Sequence, residues 1–307
     1  MKARARIKLS KLISGTIGKI IFTIINVLIA LIIIYPFINL LAISLSDIAP
    51  VRTGHVTFFP LLNRDGKEFF GANGAAWLAV IQYRYIYLSI LNTLRNAVLG
   101  CLFVVGLTAL AAYPWACIDF KLKPVYTKFI MITMWLNVGT IPYYLVTADL
   151  GLIGSFWSLI IPSIFTPFNI LVTKNYFLGI PKSVLEAAKI DGANDFRIFL
   201  TIVLPSSLPI LATLTLWTFV LQWNNYQGPL LYMQTLDKSK WVLQQVLASL
   251  IKANEAEEIL SVGTNLTVGE EQISNATVLF SILPLLLMFP LFQKFLVAGT
   301  NVGSVKE

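Results

Sequence analysis

Long apolar segments constrain this chain more than any other feature. Six of them are long enough to cross a bilayer, whose hydrocarbon core takes about 20 helical residues. They lie at residues 20–45, 88–113, 125–147, 152–172, 204–226 and 274–296. Their apolar residues run on continuously without alternation, which favours helices over a β-barrel. The sequence therefore predicts an all-α integral membrane protein with six transmembrane helices.

Lys and Arg indicate how such a bundle lies in the membrane. Residues 1–19 are basic and contain no acid, and basic residues stay on the cytoplasmic side. The first apolar segment exceeds the roughly 7–15 residues of a signal-peptide core and lacks a small-residue cleavage site. The sequence thus predicts a cytoplasmic N-terminus, a first helix that stays attached and a cytoplasmic tail at 297–307. This bias also accounts for the net charge of +8, so the charge does not call for nucleic acid as a partner.

Two long segments are predicted to be outer loops, at 46–87 and 227–273, the second within a transmembrane core of residues 88–296. The second loop has apolar residues at helical spacing, which predicts an amphipathic helix. These residues are Trp241, Val242, Val246, Leu247 and Leu250. The helix is predicted either to lie on the membrane surface or to contact a soluble partner outside.

The stretch IPKSVLEAAKIDGANDF, residues 180–196, is charged and lies between the fourth and fifth spans. Ser183 and Glu186 have the spacing of a capping box, and Gly192 can end the helix in a left-handed conformation. Asn194 or Asp195 can cap a second short helix. The loop at 181–205 is therefore predicted to be a cytoplasmic helix–turn–helix. Its apolar side chains suit docking into a groove on a soluble protein, although a helix resting on lipid headgroups is an alternative.

The run EAAKIDGANDFRIFLTIVLP resembles the EAA loop of permease subunits from ATP-binding-cassette importers. The matching residues are Glu186, Ala187, Ala188, Gly192, Ile202, Leu204 and Pro205. The stretches TIPYYLVTADLGLIGSFWSLIIP, QWNNYQGPLLYM and FQKFLVAGTNVGSVKE are similar to the maltose-type carbohydrate importers, in particular to the oligosaccharide branch. The similarity covers roughly residues 85–307.

This resemblance implies a multi-pass protein of the bacterial cytoplasmic membrane that pairs with a second permease. The loop at 181–205 would couple the chain to a dimer of ATPase subunits, and these would bind ATP and Mg. An external binding protein would deliver a sugar or oligosaccharide. The position of the second outer loop implies contact with that protein, for which the candidates are Trp241, Gln244 and Gln245. No phosphate-binding glycine loop occurs in the sequence, so the chain itself is predicted to bind no cofactor and to be no enzyme.

Polar side chains inside spans need a partner or a water-filled path. The candidates for a substrate path are Asn137, Gln222, Trp223, Asn224 and Asn225. Aromatic rings can stack on sugar rings, but Trp also gathers at membrane interfaces and Asn often joins helices. Arg95 is interpreted as an interface or helix-pairing residue.

Two other functions remain open at this point. An importer of the same class could carry a solute other than sugar, since the coupling motif alone does not specify cargo. A stand-alone secondary transporter is a further alternative, but it would usually carry intramembrane carboxylates that couple to ions. Asp149 comes nearest to such a carboxylate, but it lies in a predicted turn.

Overall fold

A computed structural model of the chain describes residues 15–136, 138–233, 237–251 and 268–304. The chain divides into two compact units, Met1–Tyr83 with Leu250–Phe280 and Arg84–Ser249 with Ser281–Glu307. Within the described ranges, three helices are long and apolar enough to cross a membrane. Two bent helix pairs raise this number to five if each pair counts as one span. The chain is therefore mostly helical and suited to a membrane, as its apolar segments predict.

The first unit begins with a long helix whose apolar surface is exposed. Its elements are α1 (Thr16–Ser44), α2 (Ile48–Arg52), β1 (Leu61–Arg64), β2 (Lys67–Phe70) and α3 (Ala75–Gln82). The large apolar side chains of α1 are exposed along most of its length. In a membrane this surface meets lipid or another helix, because neither contact requires polar partners.

The predicted all-α fold has one local exception in residues 46–87, predicted to be an outer loop, where β1 and β2 form an antiparallel hairpin. Asp65 and Gly66 make its turn, with φ values of 51° and 76°. Positive φ at both central residues is what a tight type I′ hairpin turn needs. Asp47, which precedes the hairpin, stabilises it, because the Asp47 Oδ2 accepts a hydrogen bond from the Asn63 N–H at 2.9 Å. The Asp-Gly dipeptide is the sequence signal that the prediction overlooked.

The second unit is built around α4, which packs along α8 and α12. Its elements are α4 (Ile86–Cys117), α5 (Lys123–Trp135), α6 (Thr140–Asp149), α7 (Trp157–Ile160), a 3-10 turn (Ile161–Ser163), α8 (Pro167–Phe177), α9 (Lys182–Ile190), α10 (Asp195–Ile198), a π-helical stretch (Phe199–Val203), α11 (Leu204–Ser206), α12 (Leu208–Trp223), α13 (Gln227–Tyr232) and a second 3-10 turn (Lys238–Lys240). Two further helices carry residues of both units, α14 (Leu243–Ile251) and α15 (Glu270–Ser304).

Three predicted spans are broken rather than continuous. Segment 125–147 is divided between α5 and α6, which are bent by 116°, and segment 204–226 contains a bend of 79° between α11 and α12. Segment 152–172 is divided among α7, a 3-10 turn and the start of α8. Pro167 and Pro209 lie in the first turns of α8 and α12. Proline starts a helix readily but cannot continue one without loss of a hydrogen bond, so new helices begin at these positions.

Candidate functional site

The loop at 181–205 folds as a helix–turn–helix, but its first helix starts differently from the prediction. α9 begins directly after Pro181 and has no side-chain cap; the Val184 N–H donates instead to the Pro181 carbonyl at 3.1 Å. The predicted capping box of Ser183 and Glu186 is therefore wrong. Ser183 lies inside the first turn of α9. A capping side chain belongs instead to the residue that directly precedes the helix, which is Pro181 here.

Gly192 ends α9 with a φ of 81°. The Gly192 N–H donates to the Lys189 carbonyl at 3.1 Å, and the Ala193 N–H donates to the Ala188 carbonyl at 3.0 Å. These two bonds form a Schellman motif, in which a left-handed glycine closes the helix end. Lys189 Nζ also lies 3.1 Å from Asp195 Oδ1 on α10. The turn therefore fixes α9 and α10 relative to one another.

Asn194 caps α10 as predicted, because its Oδ1 accepts from the Arg197 N–H at 2.8 Å. We expect Asn194→Ala to destabilise α10 by about 0.5–2 kcal/mol. Ser183→Ala should have a smaller effect, since the described structure gives that side chain no capping bond. Hydrogen–deuterium exchange of the α9 and α10 amides, followed by mass spectrometry, measures both effects. A larger increase in exchange after Ser183→Ala would contradict these assignments.

One face of this loop is packed onto the C-terminal end of α4. Leu185, Ile198 and Phe199 are buried in an apolar cluster with Tyr113 and Trp115. The ring centroids of Tyr113 and Phe199 are 5.2 Å apart. Each large apolar side chain stabilises such a cluster by about 1.5–3 kcal/mol when it is fully buried. The loop is therefore held on α4 rather than connected to it only by the chain.

Other parts of the loop present apolar side chains to the outside. Ile190 is 86% exposed and Phe196 is 63% exposed. The seven motif residues divide into half-buried Ala188, Ile202 and Leu204 and exposed Glu186, Ala187, Gly192 and Pro205. An exposed apolar patch among polar residues is typical of a protein interaction site.

Glu186 also borders a cavity of about 380 Å³ beside α9. Lys182 and Lys189 line the same cavity, as do Asp119, from the turn after α4, and Lys123, the first residue of α5. Lys123 Nζ lies 3.4 Å from Asp119 Oδ1. Charges of both signs therefore surround the carboxylate of Glu186.

Two of the predicted substrate-path residues are buried. Gln222 Nε2 donates to Ser163 Oγ at 3.0 Å, and Trp223 Nε1 donates to the Ser281 carbonyl at 3.0 Å. Trp223 is only 2% exposed and stacks on Phe219, with ring centroids 5.8 Å apart. Its ring faces are therefore inaccessible to a solute in this conformation. Asn137, a third candidate, lies outside the described residues.

The other two candidates lie at the end of α12. Asn224 is exposed, whereas Asn225 lines two adjoining cavities of about 280 and 410 Å³. Both cavities are also lined by Tyr143, Gly228 and Tyr232. The sequence prediction did not single out these three residues, because α6 and α13 are far apart in the chain. An amide beside two tyrosines offers hydrogen-bonding groups and apolar ring faces together.

The wall of these cavities continues into aromatic and polar neighbours. Ser163, which accepts from Gln222, lines the smaller cavity. Tyr232 stacks on Tyr144, with ring centroids 6.1 Å apart and an interplanar angle of 8°.

Arg95, interpreted above as an interface or helix-pairing residue, places its guanidinium carbon 4.5 Å from the ring centroid of Phe156.

The helix predicted for residues 227–273 is present as α14. Trp241 and Gln244 are half-buried, whereas Gln245 is only 4% exposed. Gln245 Nε2 donates to the Pro229 carbonyl at 3.1 Å. Val246, which the spacing places on the apolar face, is buried. The helix is thus packed into the protein, so Gln245 cannot contact an external partner in this conformation.

The described residues offer little metal or thiol chemistry. Within the described ranges, no group of three His, Cys, Asp or Glu side chains could hold a metal ion. Cys101 and Cys117 are free thiols. His55 Nδ1 lies 2.8 Å from Glu68 Oε2 in the first unit.

Several known proteins are similar to this chain, although no protein-family model matches it. The polygalacturonan/rhamnogalacturonan transport system permease protein YtcP of Bacillus subtilis (strain 168) is 33% identical over 279 residues, which cover 90% of this chain and 94% of that protein. The melibiose/raffinose/stachyose import permease protein MelC of the same organism is 30% identical over 223 residues, covering 71% and 75%. The arabinooligosaccharides transport system permease protein AraQ, also from this organism, is 27% identical over 297 residues, covering 95% and 97%.

A solved structure is similar over nearly the whole chain. It is a chain in the crystal structure of a bacterial ABC transporter involved in the import of the acidic polysaccharide alginate. The TM-score is 0.80 and the identity 28%, over 92% of this chain and 97% of that one.

Proposed function

Because the chain belongs to the permease subunits of carbohydrate importers of the ATP-binding-cassette class, we propose that it forms a sugar path with a second permease. The observation that carries this proposal is the loop at 181–205. It buries Leu185 and Phe199 against α4 and leaves Ile190, at the end of α9, exposed. A connection between two spans does not need such a rigid, apolar surface, whereas docking to a soluble subunit does.

We infer six spans in the bacterial cytoplasmic membrane, with both termini in the cytoplasm. The three long helices and the two bent pairs supply five of them. The sixth is the broken segment of α7, the 3-10 turn and α8. A broken helix is tolerated within a membrane protein where neighbouring protein or water satisfies its backbone groups.

The exposed side of the 181–205 loop is proposed to dock into a dimer of ATPase subunits. Those subunits would hold ATP and Mg, while this chain would hold neither. Glu186 and Gly192 are exposed on this side, and Leu185 anchors the opposite side to α4. A movement imposed on the loop would therefore be transmitted to α4 and to the helices packed along it.

The proposed cargo is an oligosaccharide. The two adjoining cavities support it, because Tyr143, Asn225 and Tyr232 combine aromatic faces with hydrogen-bonding groups. Sugar rings have apolar faces and polar edges, so they match such a lining. The similar permeases are named for transport of polygalacturonan/rhamnogalacturonan, arabinooligosaccharides and melibiose/raffinose/stachyose, which also favours a sugar.

An external binding protein is proposed to dock on the second outer loop through Trp241 and Gln244. We expect Trp241→Ala and Gln244→Ala each to weaken its affinity for the assembled importer. Truncation of a side chain at the centre of the interface should lower that affinity by about tenfold or more. Surface plasmon resonance on the reconstituted complex measures this affinity. Val184→Ala, in the 181–205 loop, is the control and should leave it unchanged. Unchanged affinity in both outer-loop variants would move the docking site elsewhere.

Co-purification from the native membrane tests the proposed function as a whole. We expect mild detergent to recover this chain with a second permease, an ATPase and, after crosslinking, a sugar-binding protein, all identified by mass. Reconstituted with these partners, the chain should take up the binding protein's oligosaccharide only when ATP is present. A chain that is recovered alone and transports sugar without ATP would overturn the proposal in favour of a secondary transporter.

A further inference from the structure

Two neighbouring side chains of α4 bind the segment that precedes and begins α14. Residues 237–249 are here called the outer segment. Asn92 Nδ2 donates to the carbonyls of Ser239, at 2.9 Å, and Trp241, at 3.1 Å. Thr93 Oγ1 accepts from the Leu243 N–H at 2.7 Å. All three bonds join parts of the chain about 150 residues apart, so they are not a by-product of local folding.

The bond to Thr93 satisfies a group that a helix start leaves unpaired. The first N–H groups of a helix have no partner within it, and Leu243 is the first residue of α14. The capping oxygen therefore comes from Thr93 of another helix, and both Thr93 and Leu243 are buried. The segment before it is also ordered locally, since Asp237 Oδ1 accepts from the Ser239 N–H at 2.7 Å. Burial of the Leu243 N–H without Thr93 would cost the desolvation of an unpaired donor.

α4 connects this attachment to the loop at 181–205. Thr93 and Tyr113 are on one continuous helix, about 30 Å apart at 1.5 Å per residue. Tyr113 belongs to the apolar cluster that holds Leu185 and Phe199. The outer segment and the proposed ATPase-docking loop are therefore attached near opposite ends of one long helix.

The outer segment has a second attachment, to the cavities. Gln245 donates to the carbonyl of Pro229 in α13, and α13 supplies Tyr232 to both cavity walls. Tyr232, Met233 and Val242 share one buried apolar cluster. The same segment thus reaches the cavity lining through α13 and the 181–205 loop through α4.

We propose that Asn92 and Thr93 are positioning residues that transmit docking of the external binding protein from the outer segment, through α4, to the ATPase-coupling loop. This inference depends on the proposed function, which supplies the binding protein and the ATPase. It adds a role for two residues that contact neither partner. Their loss should separate binding of the external protein from its effect on ATP hydrolysis.

The test compares Asn92→Leu and Thr93→Val in the reconstituted importer, with the co-purified binding protein loaded with its sugar as the probe. Coupling between two sites typically amounts to about 5–150-fold. We expect stimulation of ATP hydrolysis by the binding protein to fall by about fivefold or more, while basal hydrolysis stays unchanged. Thr93→Ser keeps the hydroxyl and should restore stimulation. Ser89→Ala is the matched control, because it removes a buried hydroxyl one turn away that donates to its own helix at Ile86.

Hydrogen–deuterium exchange gives a second readout that does not depend on hydrolysis. In the wild type, the loaded binding protein should change exchange at residues 182–198, and in Asn92→Leu and Thr93→Val it should not. Normal stimulation in both variants would overturn the inference alone. Loss of basal hydrolysis together with stimulation would also overturn it, because the residues would then be structural. A wild-type complex that no binding protein stimulates would instead overturn the proposed function, and the inference with it.

Discussion

Replacing Gly192 by valine is expected to lower ATP-driven uptake by at least about tenfold while the chain still inserts in the membrane. Gly192 has a φ of 81° and closes α9 through the Schellman motif. A side chain with a Cβ costs about 1–2 kcal/mol in this conformation, and a branched one more. A cost of 1.4 kcal/mol is tenfold in a population. Relief of the strain would turn α10 away from α9, so the exposed face would no longer match its partner. Transport assays in proteoliposomes and quantified ATPase co-purification measure both effects.

Two matched variants separate this mechanism from general strain. Gly54 has a φ of 72° and open space where a Cβ would be placed, so Gly54→Val imposes similar strain in the outer loop at 46–87. It should leave ATPase binding unchanged. Gly192→Asn should retain most uptake, because asparagine tolerates the left-handed conformation. Equal losses in Gly54→Val and Gly192→Val would refute a specific role for the coupling turn.

The loop at 181–205 could be predicted well because its structure depends on neighbouring residues. The glycine at the end of α9 and the Asn194 cap are set within a few positions of the chain. The start of α9 could not be predicted in this way, because two starts compete in the same stretch. A cap by Ser183 would shorten the helix, whereas the structure begins it directly after Pro181. The earlier start adds two residues to α9, in which Leu185 is buried in the cluster with Tyr113.

The apolar segments predicted a membrane protein but not the path of its helices. Segments 125–147 and 204–226 are each apolar and long enough to read as one span, yet both are sharply bent. Whether a chain bends depends on the neighbours that satisfy the freed backbone groups, and those neighbours are remote in sequence. The hairpin in the first outer loop is different, since its Asp65-Gly66 turn was readable from the sequence.

The cavity lining shows the same limit. Asn225 could be selected because amides are costly near a span. Trp223 met a similar criterion, and the structure places it in the interior with its indole N–H donated to Ser281. Tyr143 and Tyr232 had no comparable signal, because aromatic residues are common at membrane interfaces. Only the packing of α6 beside α13 brings them to the same cavities.

Asn225→Asp is expected to lower uptake by about tenfold in a chain that assembles normally. Asn225 Oδ1 accepts from the Gly228 N–H at 3.0 Å, and an aspartate oxygen can keep that bond. The substitution removes the two amide donors that the side chain can offer to a sugar. A polar group left unpaired costs about 1–3 kcal/mol, so KM should rise while basal ATP hydrolysis stays constant. Uptake kinetics with the oligosaccharide of the co-purified binding protein measure this.

Asn224→Asp makes the same chemical change one residue away, at an exposed side chain that lines neither described cavity. Uptake by this control should stay within about twofold of the wild type, since surface substitutions usually change free energies by about 0.5 kcal/mol or less. Equal effects at both positions would point to the added charge itself. Normal uptake in Asn225→Asp would show that this residue has no role beyond its hydrogen bond to Gly228. The sugar path would then have to run through other residues, because the one described candidate open to both cavities would have no part in it.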